Sequence, residues 1–250
     1  MSGHSKWSSI KHKKGAADAK RGKLFSKLSR GLIVAAREGG PDPAANLSLA
    51  NAIEKARSYS MPKDNIERAI ARGSGQDTDE GAYETIVYEG YAPGGVAVIV
   101  EALTDNRNRT ASEVRHIFSK NDGNLGEAGS VAWLFERRGV VLVAGSADED
   151  ELTLAAAEGG ADDVERDGST WQVTAPPEHL TTVREAIESA GFAIENAELT
   201  MVPKTTIDVE EESQAKKILR LIDALEENDD VQEVYANFDI PERVLEEVAT

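Results

Sequence analysis

Lys6, Lys11, Lys13, Lys14, Lys20, Arg21, Lys23, Lys27 and Arg30 crowd into the first 30 residues, with His12 among them and Trp7 and Phe25 interleaved. Cationic side chains at this density neutralise phosphates and release the counterions condensed on a polynucleotide. Roughly six to eight such contacts would make affinity fall by orders of magnitude between low and physiological salt. Trp7 offers a face on which an unpaired base can stack. The competing explanation is a solvated lysine face, with Trp7 covering a helical bundle.

The charge balance favours the first explanation. Residues 1–75 carry 15 Lys+Arg against 6 Asp+Glu, a net of +9, and the remaining 175 carry 13 against 39, a net of −26. A phosphate polymer is repelled by the average charge of such a chain and attracted by its head.

A second candidate is Thr104-Asp-Asn-Arg-Asn-Arg-Thr-Ala-Ser-Glu-Val-Arg-His, where a strand meets a helix N-terminus. Asp105 or Asn106 can cap that terminus. Arg107 and Arg115 fall on a similar side of the helix, and Arg109 lies elsewhere; arginines beside exposed N–H groups can hold a phosphate. A capped helix with surface arginines accounts for the same residues equally well. The glycine-rich stretch from Asp122 to Ser130 fits neither a dinucleotide fingerprint nor a P-loop and reads as a flexible surface loop.

Catalysis finds little support. His4, His12, His116 and His179 have no metal-site spacing. The acidic runs at 148–151, 210–212 and 226–230 open or close helices, where solvated charge is ordinary, and consecutive carboxylates do not converge on a metal pair. There is no cysteine, which removes thiolate chemistry and disulfides. The expectation is a protein that is not an enzyme, with no catalytic residues, metal, cofactor or small-molecule substrate. The longest apolar runs, 96–100 and 139–144, are too short to span a bilayer, and the basic N-terminus lacks the apolar run of a signal peptide. A cytoplasmic protein without membrane contact is expected.

These residues need elements to position them. Apolar residues at helical spacing (Leu24, Phe25, Leu28, Leu32, Ile33, Ala36) predict a helix over 16–38. Asp42-Pro43 reads as the cap and first residue of a second helix reaching Ser58, and a third runs from Met61-Pro62 to Gly73. Residues 73–81 read as a linker. The period then changes to alternating, with strands at 83–90 and 96–104, a helix at 108–120 and a strand at 131–135. Strand 140–144, helix 148–158, strands 162–166 and 170–175, helix 177–190 and strand 193–201 follow the ferredoxin-like βαββαβ order. Strand 205–209, helix 211–228 and strand 231–238 form half of such a unit. They are completed most simply by residues 80–133.

Seven segments, in order, resemble the YebC family, which includes the translational activator of mitochondrial cytochrome c oxidase. They are Gly3-His-Ser-Lys-Trp, Lys11-His-Lys-Lys, Asp18-Ala-Lys-Arg-Gly-Lys-Leu-Phe-Ser-Lys, Gly39-Gly-Pro-Asp-Pro, Met61-Pro-Lys-Asp-Asn-Ile-Glu-Arg-Ala-Ile, Tyr88-Glu-Gly-Tyr-Ala-Pro-Gly-Gly and Thr104-Asp-Asn-Arg-Asn-Arg-Thr. The resemblance implies three domains and a cytoplasmic, non-enzymatic regulator of gene expression. Bacterial members are described as DNA-binding transcriptional regulators; the mitochondrial relative points instead to translation and ribosomal RNA.

The combined expectation is an α+β protein in which a small N-terminal helical bundle precedes two α/β domains, the second ferredoxin-like and inserted into the first. The expected boundaries are 1–75 for the basic helical domain, 80–133 plus 204–240 for the discontinuous domain and 134–203 for the insertion. The expected function is nucleic-acid binding in transcription regulation, with a ribosome- or ribosomal-RNA-associated translation factor as the alternative. A third reading is a scaffold whose acidic domains bind proteins. Expected contacts are Lys6, Trp7, Lys11, His12, Lys13, Lys14, Lys20, Arg21, Lys23, Lys27, Arg107, Arg109 and Arg115. Lysines do not report the sugar, so DNA and RNA both stand, and the oligomeric state is open.

Overall fold

Among the described residues, three amphipathic helices come first: α1 (Asp18–Gly39), α2 (Leu47–Ser58) and α3 (Lys63–Ala71). The computed structural model describes residues 18–76, 83–168, 170–241 and 243–244. Short helices are marginal alone, and these three share one core in which Leu32, Leu49 and Ala56 are fully enclosed, beside Ile33, Ile53 and Ile66. Leu24 and Phe25 pack against it, so Phe25 serves the bundle. After α3 the chain crosses α1 so closely that a Cβ on Gly73 would meet the Ile33 carbonyl oxygen at 2.3 Å, which only glycine allows.

One junction differs from expectation. The second helix begins at Leu47 and its cap is Asn46. Asp42 instead accepts the Ala44 N–H within the preceding turn. Asn46 serves two helices. Its side-chain oxygen accepts the Leu49 N–H at 3.1 Å, and its amide donates to the carbonyls of Ala35 and Gly40 near the end of α1. A buried amide satisfied on both sides outcompetes an exposed aspartate for that position.

Residues 135–204 form one compact unit, and the segments before and after them form a second. In the second unit β1 (Glu84–Tyr91) and β2 (Ala97–Thr104) pair antiparallel. Gly94 and Gly95, at φ +81 and +79, make the turn between them. Beyond the other edge of β2 lies β9 (Val231–Ala236), also antiparallel, with Val98 opposite Ala236. A two-residue strand not foreseen in the sequence, β3 (Asn124–Leu125), completes the order β3-β1-β2-β9. Helices α4 (Arg107–Lys120) and α7 (Glu212–Glu226) share a core with this sheet, in which Val100, Val114, Phe118, Leu221, Ile222 and Leu225 are fully buried. The strands β8 (Ile207–Asp208) and β10 (Phe238–Asp239) form a small parallel pair.

In the other unit β4 (Phe135–Ala144), α5 (Glu149–Gly159), β5 (Asp163–Asp167), β6 (Thr170–Ala175), α6 (Leu180–Ser189) and β7 (Ile194–Pro203) follow in sequence. The sheet order β5-β6-β4-β7 is the ferredoxin-like 2-3-1-4 arrangement of a βαββαβ chain. The strand expected at 131–135 is instead a 3-10 turn, Ala132–Leu134, and the strand expected at 140–144 begins earlier, at Phe135. Glu136, Arg137 and Arg138 break the apolar run in the sequence, yet they extend the ladder opposite Val202, Met201 and Thr200. Among the described residues, no helix is long and apolar enough to cross a membrane.

Candidate nucleic-acid interface

Lys23, Lys27 and Arg30 lie at i, i+4 and i+7 on α1 and so share one face of the helix. That face is turned onto the C-terminal end of α7. The last carbonyls of a helix have no partner within it and carry the negative end of its dipole. Here lysines take two of them: Lys27 Nζ donates to the Glu226 carbonyl, and Lys23 Nζ donates to the Glu227 carbonyl at 2.5 Å. Lys23 also pairs with Asp229 at 3.1 Å, and Lys55 of α2 pairs with Glu233 of β9. Lys27 is only 9% exposed. Burial pushes its ammonium down to about 8, against the pull of Glu226.

Asp230 gathers the other half of the contact. Its carboxylate accepts Arg30 Nη1 at 3.3 Å, Arg109 Nη2 at 2.8 Å and the Thr110 hydroxyl at 2.7 Å. Its backbone carbonyl accepts the Leu103 N–H at 2.7 Å, and its N–H donates to Asn228 Oδ1. Burial works against the charge, but hydrogen bonds from Arg109 and Thr110 hold this carboxyl below the usual carboxylate range. The segment from Thr104 to Thr110 is wired to the same point. The Thr104 hydroxyl accepts the Asn106 N–H, Asn106 caps α4 by accepting the Arg109 N–H, and Asp105 pairs with Arg109 at 2.9 Å. A cleft of about 460 Å³ opens beside these groups, lined by Lys23, Arg30, Arg109, Tyr83 and the acids around Asp229 and Asp230.

The glycine-rich stretch is fastened from beneath. Glu89, 6% exposed, accepts the N–H groups of Gly129, Val131 and Ala132 at 2.6, 2.7 and 2.7 Å. Burial disfavours its charge, yet the three donors outweigh burial and lower its pKa. Successive N–H groups of this kind form an anion cradle, and the chain's own carboxylate occupies it. The indole of Trp133 projects from this loop, 67% exposed, with Nε1 donating to the Ser130 carbonyl.

The structure brings Lys23, Lys27 and Arg109 together and gives each an internal partner. Arg107 and Arg115 stand exposed on α4. Lys20 and Arg21 belong to the first turn of α1. Lys6, Trp7, Lys11, His12, Lys13 and Lys14 lie outside the described residues. The sequence reading missed Asp229 and Asp230, which it took for solvated charge at a helix end. Their one local signal is a pair of acids just past a helix C-terminus, where cations are the favoured neighbours. Among the described residues, no group of three or more His, Asp or Glu side chains converges to hold a metal ion.

Two family models cover nearly the whole chain: the TACO1/YebC protein N-terminal domain matches residues 5–76, and the TACO1/YebC second and third domain matches residues 83–238. A probable transcriptional regulatory protein of Rubrobacter xylanophilus is 63% identical over 250 residues, covering 100% of both chains. One from Halothermothrix orenii is 53% identical, covering 99% of each. The crystal structure of a conserved hypothetical protein from Aquifex aeolicus aligns with a TM-score of 0.78 at 51% identity, covering 90% of this chain and 93% of that one. The chain belongs to the TACO1/YebC family.

Proposed function

We propose that this protein is a non-enzymatic, nucleic-acid-binding regulator of gene expression acting on transcription in the cytoplasm, and that its N-terminal segment makes the primary contact with DNA. One observation carries the proposal: residues 1–30 hold 9 Lys+Arg and a single acid, in a chain whose formal net charge is −17. Such segregation concentrates affinity for phosphate in one module and keeps the acidic body clear of it. The names of the relatives, as probable transcriptional regulatory proteins, support the transcriptional half. Lys11, Lys13, Lys14, Lys20 and Arg21 are the principal contacts, and Trp7 supplies stacking.

A second reading, a ribosome- or RNA-associated translation factor, rests on the bundle itself. Its third helix, Lys63–Ala71, spans 9 residues and carries Asp64 and Glu67 beside Arg68. That is a poor recognition helix for a major groove, so the contacts fall on the backbone, which RNA offers equally well.

Crosslinking in cells, with sequencing of bound DNA and bound RNA, separates the two. Promoter enrichment supports the transcriptional reading, and a ribosomal RNA footprint replaces it with the second. Replacing Lys11, Lys13 and Lys14 by Gln abolishes salt-sensitive binding in either case. Binding unchanged in that variant would place the contact elsewhere.

A further inference from the structure

We propose that the C-terminal end of α7, with Asp229 and Asp230, is an internal substitute for phosphate: it occupies the Lys23–Lys27–Arg30 face of α1, and a polynucleotide binds that face only by displacing it. This rests on the nucleic-acid reading above and adds a control to it. Lysine and arginine grip phosphate oxygens with the same N–H groups that here grip two helix-end carbonyls and two carboxylates. At Lys27, whose ammonium is enclosed, the two uses exclude each other. Lys27 is 9% exposed, and its ammonium donates to the Glu226 carbonyl at the end of α7, so it reaches no external phosphate while α1 is docked. The stripe therefore has a closed state and an open one, and whatever binds the open state shifts the balance towards it.

The docking is built to be reversible. The bundle has its own core around Leu32, Leu49 and Ile53, so it can leave the sheet without unfolding. Lys23 and Asp229 remain 46% and 66% exposed in their pair, which leaves them open to screening by salt. Lys27 sits where burial disfavours its charge, and undocking restores its hydration. The segment joining the bundle to β1, residues 76–82, contains Asp77, Asp79 and Glu80 and no cation. A polynucleotide arriving on the basic residues 1–21 would next meet Lys23 and Lys27 in the sequence, and each phosphate it supplies replaces one contact to α7.

The test uses the full chain, a fluorescein-labelled 20-nucleotide DNA duplex and an RNA of the same sequence. Glu227→Gln with Asp229→Asn removes two charges at the docking site. Glu185→Gln with Glu195→Gln removes two from exposed positions in residues 135–204 and controls for net charge. The docking-site variant is expected to bind at least one probe about fivefold more tightly than the control variant. Hydrogen exchange of the wild-type chain should show amides 226–230 losing protection when probe is bound. Equal affinities of the two variants, or protection at 226–230 that stays or rises on binding, overturn the proposal while leaving the nucleic-acid reading intact. Absence of binding by all three proteins at low salt overturns both. Binding by the docking-site variant alone supports the displacement outright.

Discussion

Two helices, α5 from one α/β unit and α7 from the other, are capped differently, and the difference shows which of the two ends depends on a distant part of the chain. In the unit formed by residues 135–204, α5 caps itself. Asp148 accepts the N–H groups of Asp150 and Glu151 at its start, and Gly160, at φ +93, closes its end in the left-handed conformation. In the other unit, α7 has no side-chain cap at its start, and the carbonyls at its end are taken by Lys27 and Lys23 of another element. A helix capped by its neighbours in sequence needs no partner. One capped by lysines about 200 residues away depends on a tertiary contact, and whatever competes for those lysines uncaps it.

The sharpest way to break this contrast is at Asp230, which is 5% exposed. Asp230→Ala removes the acceptor that Arg30, Arg109 and Thr110 share, although Arg109 keeps Asp105. Removing one partner from a buried charge cluster costs about 3 kcal/mol, and urea unfolding of the full chain is the measurement. A loss below about 1 kcal/mol would mean that α1, α4 and β9 do not depend on this junction. Because the carboxyl titrates below its ordinary range when folded, its contribution is present above the unfolded carboxylate pKa and is lost as pH falls through the folded one. The difference between wild type and Asp230→Ala should therefore shrink in acid.

Lys27 gives a slope of the same sign in an alkaline window. Its folded pKa, about 8, lies below the 10.5 of the free side chain. Between those values the unfolded chain binds more protons, so the cost of burying the ammonium is full below pH 8 and is relieved as pH rises towards 10.5. Wild type should gain about 2 kcal/mol relative to Lys27→Met across that window. A flat difference would show that the ammonium keeps an ordinary pKa and that the α1 face is looser than its burial implies.

Much of this architecture was legible in the sequence, and its limits have physical causes. The helical stripe of Leu28, Leu32, Ile33 and Ala36, and the alternating strands with their turn signals, encode the elements directly, because period and burial are the same fact. Asn46 was missed because a cap that serves two helices is chosen by tertiary satisfaction, and Asp42-Pro43 looked better locally. The strand through Glu136, Arg137 and Arg138 was missed because charged residues can hold a ladder whose side chains meet solvent. The basic head was legible as charge. What its lysines face was not, since Lys23 and Lys27 meet acceptors about 200 residues away and no local pattern links Asp230 to Arg109.

Self-capping in the inserted unit can be tested alone. Asp148→Ala should cost about 1 kcal/mol, with hydrogen exchange rising at the first turn of α5 and unchanged in α7. A loss spread over both units would mean that they are less independent than their separate cores suggest.

Lys23→Gln is the smallest expected effect and the most discriminating. Lys23 stands at 46% exposure and its partner Asp229 at 66%, so water and salt already screen the pair. Its removal should cost no more than about 0.5 kcal/mol of stability. That is less than the loss at Asp148, although both side chains cap a helix end. The reason is geometric: an N-cap carboxylate is fixed by its own backbone, whereas a lysine must order four methylenes to reach a carbonyl, and that entropy offsets most of the contact. If Lys23→Gln proved as costly as Asp148→Ala, the borrowed cap would be as rigid as the local one. The end of α7 would then be a fixed joint, unable to give way to an incoming phosphate.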